Sequence, residues 1–371
     1  MASQPDGAAL SAWPPIYFIK RPAGLSAAQL SIMKRLIVFV LILSLTLLTA
    51  CGGAQTVSGT VFAMDTVVSY TLCGPGELPE QQTAEALARY EALFSVTAEG
   101  SDIWRINHAV GPTAVSDDVA AVLRTAGEVY RQSGGAFDIS IWPVVQAWGF
   151  TTGENRVPSD EVLAVCLALV DGSRIRIDGG TVTLDAGMGI DLGGIAKGYI
   201  AQQIVAQWKQ AGVTGGLLSV GGNIQLAGPK PDGSDWLLGV QDPFAADDTA
   251  RFVGVLSLRE GAVVTSGAYH RYFESGGVRY HHILDPRTGC PARSGLRSVT
   301  VLCQDGALAD ALSTALFVLG EQGAIAFYRQ YGGFEMLLVT DDGRVLATPG
   351  ADEHFTPDSA FAAQYTVLPA A

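Results

Sequence analysis

The stretch ALADALSTALFVLG, residues 307–320, constrains the fold of this 371-residue chain more than any other. It reads as a helix with apolar side chains on nearly every face, so it belongs in the interior of a folded body. Such a helix needs layers packed around it, and the sequence offers both kinds. Residues 58–72, SGTVFAMDTVVSYTL, alternate as a strand. Residues 80–94 place Ala84, Leu87, Tyr90 and Leu93 near helical spacing. Ser116-Asp117-Asp118 opens a second helix through Tyr130, and Ser133-Gly134-Gly135 stops it. Pro158-Ser159-Asp160 starts a short helix, and RIRIDGGTVTLDAG is a hairpin turning at Gly179-Gly180. Residues 195–211 form a helix with Ile200, Ile204 and Trp208 on one stripe. Further strands are expected at 216–220, 236–240, 252–258, 299–303 and 336–340. Strands and helices are interspersed without a regular βαβ rhythm. The expected fold is α+β, with mixed or antiparallel sheets flanked by helices.

Charge and the N-terminal region narrow the setting. With 36 acidic and 23 basic residues the net charge is -13, which disfavours nucleic acid as a partner. Met33-Lys34-Arg35 followed by an apolar run over 36–47 reads as a signal peptide, residues 33–50, since a spanning helix needs about 20 apolar residues. Leu48-Thr49-Ala50-Cys51 resembles a bacterial lipobox, in which Cys51 is lipidated and becomes the first mature residue. Residues 1–32 precede the better start at Met33 and read as an overlong gene assignment; residues 51–58 read as lipidated cysteine and linker. The expected location is extracytoplasmic, with a lipid anchor in the bacterial cell membrane. Cys73, Cys166, Cys290 and Cys303 match no zinc spacing, and their disulfide pairing stays open.

Several segments concentrate residues that a core has little use for. Asp310 and Thr314 stand at i and i+4 on the apolar helix, so their oxygens share one face. A carboxylate there is unfavourable without a partner. Carboxylate, hydroxyl and backbone carbonyl together make a hard-oxygen set suited to Mg²⁺. A capping aspartate with a threonine bonded to the previous turn explains the same pair. IDLGGIAKGY, residues 190–199, is neither a GxxxxGK[ST] loop nor a GxGxxG fingerprint. Gly193-Gly194 stands at a helix entrance, where free N–H groups favour an anion and glycine can offer its carbonyl to a cation. Lys197, one turn in, can meet a phosphate. Glycines before a helix also serve tight packing alone. HHILDPRTG, residues 281–289, reads as a strand entering a turn at Pro286 and Gly289. Of its two histidines, at most one reaches a site if the segment is a strand, and there it serves as a general base.

Met64-Asp65-Thr66, SGGAFDIS…WPVVQAWGF, IDLGGIAKGYIA, LLSVGGNI, VVTSGAYHRYF, HHILDPRTGCP and DALSTALFVLG occur in an order shared with one family. Over about residues 60–346 the chain resembles the ApbE-type FAD:protein FMN transferases. The resemblance implies one catalytic domain over 59–350 and a tail at 351–371. It implies Mg²⁺-dependent transfer of FMN from FAD to a Ser or Thr hydroxyl of an acceptor flavoprotein, a membrane redox subunit or secreted reductase, with AMP released. By position it implies flavin-nucleotide contacts at Met64, Ala136, Phe137, Asp138, Asp191, Lys197 and Ile283. Mg²⁺ would take Asp310, Thr314 and the main-chain oxygen of Gly194, and His282 would be the base, leaving His281 structural. Two positions depart from the family pattern. Thr97 stands where many members have a flavin-stacking tyrosine, with Trp104 a candidate to compensate, and Ser313 stands where some have a second aspartate beside the metal threonine. The same residues would serve a metal-dependent FAD pyrophosphatase giving FMN and AMP. A lipoprotein that carries FAD without chemistry is the alternative outside the enzymes, and it requires neither His282 nor the Asp310/Thr314 pair.

Overall fold

The computed structural model describes residues 55–245, 251–269 and 271–370. The signal segment 33–50, Cys51 and residues 1–32 lie outside the described residues. Nine strands form one sheet: β1 (Gln55–Ala63), β2 (Thr66–Gly74), β3 (Gly215–Val220), β4 (Asn223–Gly228), β5 (Glu260–Gly267), β6 (Leu296–Cys303), β7 (Glu335–Thr340), β8 (Val345–Ala347) and β9 (Tyr365–Val367). Their order across the sheet is their order along the chain. Every neighbouring pair is antiparallel except the last, β8 with β9. Between β2 and β3 the chain inserts α1 (Glu80–Phe94), α2 (Asp102–His108), α3 (Asp117–Gln132), α4 (Trp142–Trp148), α5 (Asp160–Leu167) and α6 (Ala196–Gln210). Between β6 and β7 it inserts α7 (Gly306–Tyr331).

Both faces of the sheet are covered, so its central strands read as nearly continuous apolar runs. Along β7, Met336 and Leu338 join the core shared with the helices, while Leu337 and Val339 join a second core on the opposite face. That second core is closed by a three-stranded sheet of Trp236–Gln241, Phe252–Leu258 and Phe355–Pro357. α6 and α7 pack on each other and on the sheet. Helix starts follow their caps: Ser116 Oγ accepts from the Val119 N–H and Ser159 Oγ from the Val162 N–H.

Four features differ from the sequence expectation. Residues 58–72 are two strands, because Met64 and Asp65 both take positive φ (53° and 54°) and Ala63 pairs with Thr66 across a two-residue turn. That conformation is ordinarily glycine's, so the turn carries no sequence signal. The first strand also starts at Gln55, inside the expected linker. The segment 351–371 is no tail: Phe355–Pro357 pairs with Phe252–Leu258, and β9 completes the large sheet. Finally, α7 runs on past Gly320 to Tyr331 after a break there at φ 72°, ψ 179°.

Candidate active site

A cleft of about 990 Å³ opens where two tight turns lie side by side, Met64-Asp65 between β1 and β2 and Gly221-Gly222 between β3 and β4. Their proximity is close enough that a Cβ on Gly221 would meet Thr66 Oγ1 at 2.6 Å. On one rim the Met64 N–H donates to Glu91 Oε1 (3.1 Å). Ala136 and Phe137 form a buried wall, set by the Phe137 N–H donating to Ser133 Oγ (3.1 Å) where α3 ends.

The centre of the site is the crossing of α6 and α7. A Cβ on Gly198 would lie 2.0 Å from the Gly306 carbonyl oxygen and 2.7 Å from Asp310 Cβ, so only glycine permits this approach. The contact lets the Gly198 N–H donate to Asp310 Oδ2 (2.9 Å) and so partners a carboxylate on an otherwise apolar helix. Gly198 stands in the first turn of α6, where N–H groups have no carbonyl of the helix to bond, and Gly194 precedes the helix. Here the Gly194 carbonyl receives no hydrogen bond from any described residue. Thr314 Oγ1 would be 3.3 Å from a Cβ on Gly194, so the carbonyl, hydroxyl and carboxylate residues meet on one patch of the cleft wall. This is an all-oxygen set with one orphaned carbonyl, which fits a hard divalent cation. Phe137 closes the patch from the side, at 3.1 Å from the same Cβ position.

Charge is arranged around that patch. Asp191 Oδ1 accepts the Gly193 N–H (2.8 Å), and Lys197 Nζ donates to the Gly193 carbonyl (2.8 Å), so side chains hold both polar groups of the turn. Burial pushes the Asp191 carboxyl up, against the pull of the Gly193 N–H and Lys197. Asp138 is buried, and its oxygens accept from the Ser140 N–H (2.8 Å), the Ser140 hydroxyl (2.7 Å) and the Gly172 N–H (2.9 Å). Burial raises its pKa, and those donors limit the rise.

The two histidines separate as alternating positions should. His282 lines the cleft, whereas His281 is buried with its ring edge-on to Phe317 and its Nε2 donating to the Ala292 carbonyl (3.0 Å). His282 Nδ1 lies 3.1 Å from the Arg271 carbonyl, which can only accept. The proton therefore sits on Nδ1, and Nε2 keeps its lone pair. His282 as a residue is exposed, yet desolvation by the surrounding cleft walls, with Lys197 and Arg271 adding positive charge nearby, lowers its pKa to about 3. The neighbouring Ile283 is buried on the cleft wall.

Arg271 and Asn223 are cleft residues to which the sequence assigned no role, although both stand in quoted motifs, SGAYHRYF and VGGNI. Arg271 Nη2 donates to the Asp65 carbonyl (3.0 Å), tying the β1–β2 turn to the segment that holds His282. Asn223 lines the cleft with 4% exposure, and its Nδ2 has no partner among the described residues. Thr97 is an exposed rim residue. Trp104 stacks on His108 instead (4.2 Å, 20°), away from the cleft lining. Ser313 needs correction as a metal-side residue: it is fully buried and absent from the cleft wall, its hydroxyl bonded to Ser266 Oγ and the Asp310 carbonyl (each 2.8 Å).

A neutral histidine, the cationic Lys197 and Arg271 and an all-oxygen patch share one cleft, a combination suited to enzymes that act on phosphate esters or anhydrides. The chain belongs to the ApbE family, whose model matches residues 64–338. It is 35% identical over 278 residues to the FAD:protein FMN transferase of Klebsiella pneumoniae, covering 74% of this chain and 85% of that protein. It is 33% identical over 329 residues to the FAD:protein FMN transferase of Treponema pallidum, covering 81% and 90%. Among solved structures, the ApbE protein of Thermotoga maritima superposes with a TM-score of 0.72 at 32% identity, covering 84% of this chain and 99% of that one. The flavin transferase ApbE of Vibrio cholerae gives a TM-score of 0.73 at 27% identity, covering 81% and 99%.

Proposed function

We propose that this chain transfers FMN from FAD to a Ser or Thr hydroxyl of an acceptor protein and releases AMP. Family membership supplies the reaction class. The observation that carries the reading to these residues is the pairing, in one cleft, of a histidine with a free Nε2 and the Asp310/Thr314/Gly194 oxygen patch. The cleft volume stands at the top of the usual range for small-molecule sites, about 300–1,000 Å³, as a dinucleotide requires.

Lys197 and Arg271 meet the diphosphate charge, Lys197 by exchanging the Gly193 carbonyl for a phosphate oxygen. Phe137 and Ile283 give the ligand apolar walls. Asp310, Thr314 and the Gly194 carbonyl would hold Mg²⁺, which when bound neutralises charge on the diphosphate and on the departing AMP. His282 Nε2 takes the proton of the acceptor hydroxyl as that oxygen bonds to the FMN phosphorus and the bond to the AMP oxygen breaks. Cys51 anchors the enzyme through lipid outside the cytoplasmic membrane, where an acceptor in a membrane redox complex or a secreted reductase is within reach. His282→Ala should retain FAD binding by fluorescence titration while transfer falls roughly 10²–10⁴-fold, the usual share of a general base. Full transfer activity in that variant would remove His282 from the mechanism.

A further inference from the structure

At the oxygen patch three hydroxyls stand in line, those of Ser266 and Thr314 on residues of the cleft wall and that of Ser313 buried off it. Ser266, on β5, lies 2.8 Å from Ser313 Oγ and 3.4 Å from Thr314 Oγ1. Ser313 Oγ lies 2.8 Å from the Asp310 carbonyl oxygen. A hydroxyl has one proton to give and two lone pairs to receive with. The carbonyl can only accept, so the Ser313 proton goes to Asp310. The 2.8 Å contact between the serines must then use the proton of Ser266. With both serine protons assigned, Thr314 is the donor on the last contact, to Ser266. The competing acceptor for that proton, the Asp310 carbonyl oxygen at 3.5 Å, already receives the Ser313 hydroxyl at 2.8 Å.

From this order we propose that Ser266 and Ser313 are positioning residues for the cation: they hold the Thr314 proton in a hydrogen bond to Ser266 and so leave the Thr314 lone pairs free for the cation. The proposal rests on the metal reading above. A cation is bound by an oxygen lone pair and repelled by a hydroxyl proton. A threonine free to rotate would have to be turned at the moment of binding; this one is already turned. Ser313, fully buried and off the cleft wall, thus acts on the site without touching it. The arrangement also accounts for a serine at the place where some family members carry an aspartate: it contributes a direction for one proton in place of a negative charge.

The test uses the full-length protein with Mn²⁺ alone as probe, its dissociation constant read by electron paramagnetic resonance, together with melting curves recorded without metal. Ser266→Ala should raise the Mn²⁺ Kd about fivefold, as expected for loss of one ordinary hydrogen bond, with the metal-free melt near wild type. Ser266→Thr, which keeps the hydroxyl, should restore the affinity. Ser313→Ala should also weaken binding, and the double variant should bind no more weakly than Ser266→Ala, because one chain of bonds is lost in each. An unchanged Kd in Ser266→Ala overturns the proposal. So does a wild-type Kd in Ser313→Ala, which would make Ser266 a direct ligand, or additive losses in the double variant. Asp310→Asn serves as the control on the metal reading itself: if it leaves Mn²⁺ affinity unchanged, that reading fails first and the relay falls with it.

Discussion

The crossing of α6 and α7 at Gly198 is where fold and chemistry depend on the same atoms, and Gly198→Ala probes it. The new Cβ would lie 2.0 Å from the Gly306 carbonyl oxygen, and real Cβ atoms stay beyond 3.0 Å, so the helices must part by about 1 Å. The obstruction is backbone, which has no rotamer to yield. Overpacking of this kind costs about 1–3 kcal/mol. The same separation stretches the Gly198–Asp310 hydrogen bond from 2.9 Å to beyond bonding range, a further loss of about 1.5–3 kcal/mol for a bond to a charged group. Alanine's better helix propensity returns about 1 kcal/mol. The net is a destabilisation of about 1.5–5 kcal/mol, or a melting temperature roughly 3–15 °C lower for a domain of this size. Circular dichroism melts measure it directly. Gly127→Ala is the matched control, since that glycine lies in α3 with nothing within 4 Å of a new Cβ. It should stabilise by about 0.5–1 kcal/mol. A Gly198→Ala protein that melts with wild type and turns over FAD at the same rate would refute the argument.

Other perturbations test single parts of the site. Thr97→Tyr places an aromatic ring on the cleft rim and should tighten FAD binding by about 0.5–1.5 kcal/mol, read from flavin fluorescence. Arg271→Gln removes the link to the Asp65 carbonyl and a charge near the diphosphate, so it should raise the KM for FAD several-fold while leaving the metal-free melt close to wild type. His282 is held neutral, its pKa lowered from 6.5 to about 3, so between those values the unfolded chain binds a proton that the folded protein refuses. Stability contributed by His282 is therefore complete above about pH 6.5 and declines as pH falls toward 3; His282→Gln should resist acid unfolding better than wild type over that window. For the same reason, kcat/KM for FAD should show no histidine inflection between about pH 5 and 7.

What could be read in the sequence was what depends on local pattern. The all-apolar character of residues 307–320 placed a helix in the interior, and Ser116 and Ser159 marked helix starts that their hydroxyls do cap. The spacing of Asp310 and Thr314 put two oxygens on one face of that helix, and both line the cleft. Features set by distant contacts stayed hidden. The Gly194 carbonyl is unpartnered in a turn ahead of α6, and the first-turn N–H of Gly198 bonds a carboxylate 112 residues away, which no local spacing encodes. The Met64-Asp65 turn uses positive φ at residues that rarely adopt it, so an unbroken strand was the natural reading. β9 and Phe355–Pro357 are short and find their partners across the fold, which made residues 351–371 look like a tail. Ser313 was assigned by its position beside Thr314, but one residue along a helix is a turn of about 100°, enough to carry its hydroxyl off the cleft wall.

The central claim is that this cleft moves FMN from FAD onto a protein hydroxyl, and its most direct test is one incubation. The protein is mixed with FAD, Mg²⁺ and a candidate acceptor domain; mass spectrometry follows the acceptor while chromatography follows AMP and free FMN. The account predicts an acceptor heavier by one FMN phosphoester, with an equal amount of AMP, and neither product when EDTA is present. AMP and free FMN without adduct across several acceptors would contradict the transferase reading and establish a pyrophosphatase, and FAD recovered bound but intact would leave a carrier.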